Sequence, residues 1–174
     1  RVVNSDESLA ELSGLAAERA LEMGGWSAES LDLILLATST PDDLFGSAPR
    51  LQAHLGATNA VAFDLTAACS GFLFAVVTAA QYLRSGAMRR ILVVGADQLS
   101  RWVNWDDRRS CVLFGDAAGA VVLEASDNSQ DDLNAFLLRS DGSRGEVLQL
   151  PQVSQRQPLV GDASHQCGGF NPIQ

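Results

Sequence analysis

The chain has 174 residues, which suits one compact domain able to bury a core without disulfide staples. Apolar residues make up 47% and charged residues 19%, ordinary globular usage far from that of disordered chains. Twelve basic against 21 acidic side chains leave a formal charge of −9, which argues against a nucleic-acid or anionic-membrane surface. All twelve basic residues are Arg, so no lysine Schiff base, P-loop lysine or lysine general base exists within the chain.

In chain order, Asn4 is positioned to cap a first helix, with Glu7 reaching back as in a capping box. Leu9, Leu12, Ala16, Ala20 and Met23 follow at helical spacing, and Gly24-Gly25 ends the helix. The continuous apolar run Leu33–Ala37 reads as a strand covered on both faces. Ser47-Ala48-Pro49 opens a short helix that Gly56 closes, and Val61–Leu65 is a second strand. Residues 65–83 carry no charge, but Thr66, Cys69, Ser70, Gly71, Thr78 and Gln81 make this a buried core element rather than a bilayer span. Its helix, residues 70–84, is apolar all round, the pattern of a helix at the centre of a fold. A buried strand follows at residues 91–95. Residues 111–114, 120–123 and 136–139 read as further strands, the first two flanking the small-residue run Gly115-Asp116-Ala117-Ala118-Gly119. That run has neither a Rossmann nor a P-loop pattern, and its small residues let backbones pack closely.

Strands alternating with helices make an α/β layered fold. Residues 1–140 form its core and residues 141–174, Gln-, Ser- and Gly-rich, a loop-rich extension. Without an initiator Met or a signal-peptide apolar region, and ending at Pro172-Ile173-Gln174, the chain reads as a piece of something longer. Three widely spaced cysteines, an odd number, fit a reducing cytoplasm.

Cys69 is the foremost chemical candidate. It follows a buried strand on the tight turn Thr66-Ala67-Ala68, where a helix begins. Free N–H groups and the positive helix end favour a thiolate there, and a strand–nucleophile–helix turn presents the sulfur to a substrate from one side. The plain alternative is a small buried hydrophobe. Cys111 reads as core filler in a strand, while Cys167 lies in a Gly-rich loop without a partner at metal-ligand spacing. His54 falls on the short helix and His165 in the polar tail, and no metal-binding spacing occurs. Arg101-Trp102-Val103-Asn104-Trp105-Asp106-Asp107-Arg108-Arg109 interleaves arginines with aromatics, a stretch able to stack a base and hold phosphates.

Four motifs occur in order: Thr66-Ala67-Ala68-Cys69-Ser70-Gly71-Phe72, Val93-Val94-Gly95-Ala96-Asp97, Phe114-Gly115-Asp116-Ala117-Ala118-Gly119-Ala120 and Asp141-Gly142-Ser143-Arg144-Gly145-Glu146. Together they resemble the beta-ketoacyl-acyl carrier protein synthase III family of the thiolase superfamily. The resemblance implies a thiolase-like layered α-β-α-β-α fold built of two halves, of which this chain holds most of the N-terminal one. It implies an acyltransferase that starts fatty acid synthesis by condensing acetyl-coenzyme A with malonyl-acyl carrier protein, through an acyl thioester on Cys69. By the same resemblance Arg108 packs on the coenzyme A adenine, although Arg109 stands where glycine is usual. Phe45 reaches across a homodimer into the partner's acyl pocket, and Leu99, Phe114 and Leu148 line the pocket. The resemblance implies no cofactor beyond the coenzyme A thioester as substrate, and it places the catalytic His and Asn, with an adenine-stacking Trp, outside this chain. The alternatives are another thiolase-superfamily condensing enzyme acting on a different acyl thioester, or a non-catalytic dimerisation or coenzyme-binding half.

Overall fold

A computed structural model describes residues 2–126 and 133–150, together with the backbone of 152–153 and 169–170. The expectations for His165 and Cys167 lie outside the described residues. The chain divides into two compact units, residues 1–98 with 116–138, and residues 99–115 with 139–174.

The first unit is built on one four-stranded sheet in the order β2-β1-β3-β4. Its strands are β1 (Leu33–Ala37), β2 (Val61–Leu65), β3 (Arg90–Gln98) and β4 (Asp116–Glu124). The first three run parallel and β4 pairs antiparallel to β3, with Gly95 opposite Gly119. The apolar run Leu33–Ala37 is buried along its whole length, as its lack of alternation requires. Ile34 and Leu36, with Leu92, Val94 and Ala96, face a core shared with α1 (Leu9–Gly24) and α2 (Ala48–Leu55). Leu33, Leu35 and Ala37, with Ile91 and Val93, face α3 (Gly71–Arg84) through Ala75 and Ala79. The unit is therefore layered helix, sheet, helix.

The strand order explains that layering. From β1 the chain crosses by α2 to β2 on one side, then by α3 back past β1 to β3 on the other. Crossovers of one hand that move in opposite directions along a sheet must lie on opposite faces. The connection between β1 and β2 thus leaves on one face and that between β2 and β3 on the other.

Several expectations change. The cap of α1 is Ser8 rather than Asn4: the Ser8 hydroxyl accepts the Glu11 N–H at 3.1 Å, and Glu11 accepts the Ser8 N–H at 2.8 Å. Asp42 also accepts from Leu9 N–H at 2.7 Å and Ala10 N–H at 3.1 Å, so the helix starts where its donors find acceptors. Asn4 instead closes a turn with its carbonyl accepting the Glu7 N–H. The buried face of α1 runs through Leu9, Ser13, Ala17, Ala20 and Leu21 and leaves Met23 exposed, because small side chains allow the close approach to the sheet. Residues 111–114 are turns rather than a strand. The Ser110 and Cys111 N–H groups both donate to the Asp107 carbonyl, and the Leu113 N–H to Ser110, which spends the ladder donors locally. Cys111 is accordingly half-buried in a turn, with Val112 and Leu113 exposed beside it. Residues 136–139 join no ladder among the described residues, and Phe136 and Leu137 stay exposed without a face to bury. The small-residue run is itself the start of β4 rather than a link between two strands; its Ala118, like Ala120 after it, packs on the core shared with α1, while Gly119 faces open space. The close approaches are elsewhere, at Gly14 against His54, Gly24 against Val122, Gly46 against Asp64 and Gly95 beneath Phe72. Finally, α3 covers the sheet with one face only, and Leu73 on its outer side is 63% exposed. No described helix is long and apolar enough to cross a membrane.

The second unit holds a 3-10 turn at Leu99–Arg101, a run of turns over residues 104–113, a second 3-10 turn at Gly142–Arg144 and the short antiparallel pair β5 (Gln152–Val153) and β6 (Gly169–Phe170).

The start of α2 generates a stability prediction. Asp64 on β2 accepts the Ser47 N–H at 2.9 Å and the Ala48 N–H at 2.7 Å, doing the work of a helix cap from a neighbouring strand. Asp64→Ala is expected to cost about 1–3 kcal/mol in urea unfolding, and Asp64→Asn, which keeps an acceptor, clearly less. Equal losses for both variants would contradict this account of α2.

Candidate active site

Parallel strands gather their carboxyl ends on one edge of the sheet, and a crevice opens where neighbouring connections leave on opposite faces. Here that place lies between β1 and β2. The β1 end continues into the segment 38–47 toward α2, and the β2 end into Thr66-Ala67-Ala68-Cys69 toward α3. Cys69 is exposed at this edge, in a 3-10 turn at Ala68–Ser70 immediately before α3. The core-filler alternative does not describe it.

The turn is unusual in its backbone. Ala68 has φ 47°, the sole non-glycine residue with positive φ among the described residues, and Ala67 before it has φ −152° and ψ 38°. A side chain in the left-handed region costs on the order of 1 kcal/mol, and such positions persist only when the surroundings impose them. What is imposed is a reversal that swings the chain from β2, an edge strand whose residues are exposed or half-buried rather than buried as the sequence suggests, straight into a helix with the cysteine at the bend. At Gly71, the first residue of α3, an added Cβ would lie 3.4 Å from the Ala37 Cβ, an ordinary contact distance, so the start of α3 lies close beside the end of β1.

Phe45 sits on the other segment leaving this edge. Its N–H donates to Asp43 Oδ1 at 2.8 Å, and Gly46 next to it takes φ 96°, where an added Cβ would strike the Asp64 carboxylate. Asp43 also pairs with Arg50 at 2.7 Å. The loop is thereby fixed while the Phe45 ring is 93% exposed, a large apolar surface held out into solvent. Cys69 and Phe45 belong to the first unit.

Leu99, Arg108, Phe114 and Leu148 belong to the second. Leu99 opens a 3-10 turn and is half-buried, as is Phe114 ahead of β4, while Leu148 is exposed. Arg108 is exposed within the turns, next to exposed Trp105. Arg109, where a glycine is usual by the resemblance, closes the loop on itself. Its N–H and its guanidinium Nε both donate to Asp107 Oδ1, at 3.0 and 3.1 Å. The Ser110 hydroxyl donates to the same carboxylate. These contacts, the Arg109 guanidinium first, hold the Asp107 carboxyl below the ordinary aspartate range.

His54 is not part of this site. Its Nε2 lies 3.3 Å from a Glu18 oxygen and its ring rests over Gly14, so it joins α2 to α1. No group of three or more His, Cys, Asp or Glu residues able to hold a metal ion occurs among the described residues. The sequence reading gave no role of its own to Asp97, whose carboxylate gathers the segment after β1 (Thr38, Ser39, Thr40). Its only sequence signal is an acidic residue at the end of an apolar strand.

Comparison with known proteins places these features in context. A family profile described as 3-Oxoacyl-[acyl-carrier-protein (ACP)] synthase III matches residues 63–142. The beta-ketoacyl-[acyl-carrier-protein] synthase III of Prochlorococcus marinus strain MIT 9313 is 70% identical over 174 residues, all of this chain and 51% of that protein. The protein of the same name from Synechococcus sp. strain WH7803 is 70% identical over 173 residues, 99% of this chain and 51% of that one. The chain thus spans about half the length of the curated relatives it matches. Among solved structures, 3-oxoacyl-[acyl-carrier-protein] synthase III from Aquifex aeolicus VF5 is 44% identical with a TM-score of 0.81, covering 85% of this chain and 48% of that one. The corresponding protein from Pseudomonas aeruginosa PAO1 has a TM-score of 0.83 at 39% identity, covering 89% and 49%. The layered α/β unit is therefore thiolase-like, as expected from the sequence motifs.

The Asp107 contacts give a pH prediction. A carboxyl whose folded value is depressed contributes fully above its ordinary value and loses that contribution as pH falls through the folded one. The Arg109 amide resonance should titrate with a midpoint below that of an unperturbed aspartate, and Arg109→Gly should move the midpoint back up. An unchanged midpoint in that variant would remove Arg109 as the cause.

Proposed function

We propose that this chain, which over the length it covers belongs to the beta-ketoacyl-acyl carrier protein synthase III family, supplies the acyl-accepting nucleophile of an acyltransferase. The observation that carries the reading is the exposed Cys69 at a strained strand-to-helix bend on the carboxyl edge of the sheet. The Cys69 sulfur attacks the thioester carbonyl of acetyl-coenzyme A, and coenzyme A leaves as the thiol, taking up the proton that the cysteine gives up. The acetyl group then rests on Cys69 as a thioester. Malonyl-acyl carrier protein loses carbon dioxide, and the resulting carbanion attacks the acetyl carbonyl, forming the carbon–carbon bond of acetoacetyl-acyl carrier protein and releasing the Cys69 sulfur.

In this reading Arg108 stacks on the adenine of coenzyme A, and its exposed position in a loop that also carries Trp105 supports that role. Leu99, Phe114 and Leu148 line the acyl pocket. The presentation of Phe45, anchored by its backbone while its ring projects outward, supports a homodimer in which each protomer lends an aromatic ring to the other. Acetyl-coenzyme A and acyl carrier protein are the partners, the coenzyme A thioester is substrate rather than cofactor, and the compartment is cytoplasmic. The groups that stabilise the decarboxylation, a His and an Asn by family resemblance, act together with this chain and are not assigned to His54 or His165.

Two measurements test the proposal. Cys69→Ser should abolish formation of an acetyl adduct, read by intact mass after incubation with acetyl-coenzyme A, because a hydroxyl without a strong base is a poor nucleophile. A variant that still acquired the adduct would remove Cys69 from the chemistry. Arg108→Ala should weaken acetyl-coenzyme A by about 0.5–2 kcal/mol in kcat/KM and leave a pantetheine-truncated thioester nearly unchanged. Equal losses on both substrates would point to collapse of the loop instead of a lost adenine contact.

A further inference from the structure

We infer that Asp97 is a positioning residue for the Cys69 bend, acting through the end of β1. Asp97 stands near the end of β3, and its Oδ1 accepts three bonds from the segment that leaves β1: the Thr38 hydroxyl at 3.2 Å, the Ser39 N–H at 2.8 Å and the Thr40 hydroxyl at 3.1 Å. The segment is braced internally as well. The Thr38 hydroxyl accepts the Thr40 N–H at 3.0 Å, and the Thr40 hydroxyl accepts the Gln98 N–H at 2.8 Å. Thr38 and Thr40 are buried, and a polar cluster with its partners in place holds one geometry because losing the Asp97 acceptor would strand their two hydroxyls.

The consequence reaches β2 through one hydrogen bond. The Thr38 N–H donates to the Leu65 carbonyl at 3.1 Å, the last backbone group of β2 before Thr66-Ala67-Ala68-Cys69. On the far side of the bend, Gly71 rests against Ala37, the last residue of β1. The end of β1 therefore holds the strained turn both before and after Cys69, and Asp97 holds the end of β1. The chemistry asks for such a device. A left-handed Ala68 relaxes unless its flanks are fixed, and a nucleophile displaced by about 1 Å can lose on the order of a hundredfold in rate. Phe72 packed over Gly95, two residues before Asp97, ties α3 to the same stretch of β3. None of these contacts requires Asp97 to touch a substrate.

The inference rests on Cys69 being the acyl acceptor, and its test has one readout that does not. In the complete protein, Asp97→Ala should speed backbone hydrogen exchange at residues 66–71 by about tenfold or more while the amides of β1 and β3 hold their protection. It should lower the single-turnover rate of Cys69 acetylation by roughly 10–100-fold with little change in KM for acetyl-coenzyme A. Asp97→Asn, which keeps an acceptor oxygen for the Ser39 N–H and the two hydroxyls, should restore most of both. Should Asp97→Ala not fold, Thr38→Val removes one of the three donors and leaves the Thr38 N–H on Leu65, and the same local loosening is expected of it. Wild-type exchange at residues 66–71 in the Ala variant, or in Thr38→Val if it stands in, overturns the inference. So does loosening of all strands together, which would make Asp97 a general support of the sheet. If the unaltered protein takes no acetyl group on Cys69, the nucleophile reading falls, while the exchange pattern still decides whether Asp97 holds the bend.

Discussion

The complete burial of β1 is the constraint on which the first unit depends. A strand with no exposed face must be covered on both sides, and parallel neighbours can be reached only by crossovers long enough to span the sheet. The chain meets both demands at once by sending α2 over one face and α3 over the other. The same arrangement collects the ends of β1, β2 and β3 on one edge, with the first two connections diverging there. The cysteine bend lies at that divergence, so the site location follows from how the core is covered.

Carboxylates carry much of the local architecture. Asp32 accepts the Arg89 and Arg90 N–H groups where β3 begins, Asp42 those of Leu9 and Ala10 at α1, and Asp64 those of Ser47 and Ala48 at α2. Asp97 on β3 accepts the Ser39 N–H of the segment after β1, and Asp107 accepts the Arg109 N–H within a turn. Each bond between an ionised acceptor and a backbone N–H is stronger than its neutral counterpart. The acidic balance of the chain is thus partly a consequence of its fold: aspartates that read in sequence as solvated surface charge are the caps of helices and the clamps of loops.

Part of the apolar surface that stays open flanks the Cys69 bend. The outer side of α3 presents Leu73, and the loop before α2 presents Phe45, both next to the segments that define the bend. A helix apolar all round, seen on its own, carries its demand for a second covering layer in its sequence.

The sequence by itself determined the elements whose signal is local. The uninterrupted run Leu33–Ala37, the Pro-opened and Gly-closed α2, and the left-handed glycines at Gly25 and Gly56 all stand where the pattern of side chains puts them. The Cys69 turn was legible too, because a strand, a tight turn and a helix start are contiguous in the chain, although that strand lies at the sheet edge and is not buried. Other features were decided by hydrogen-bond partners that the pattern of apolar side chains does not report. Ser8 rather than Asn4 begins α1 because Asp42, more than thirty residues away, reaches its first N–H groups. The apolar stretch 111–113 turns because nearby carbonyls take its backbone donors, Asp107 that of Cys111 and Ser110 that of Leu113, a local competition that hydrophobicity does not register. The Asp97 cluster joins residues almost sixty positions apart. Periodicity reports which faces a segment can bury, but which acceptor satisfies a given backbone donor depends on what the folded chain brings within 3 Å, and that is fixed only when the sheet has formed.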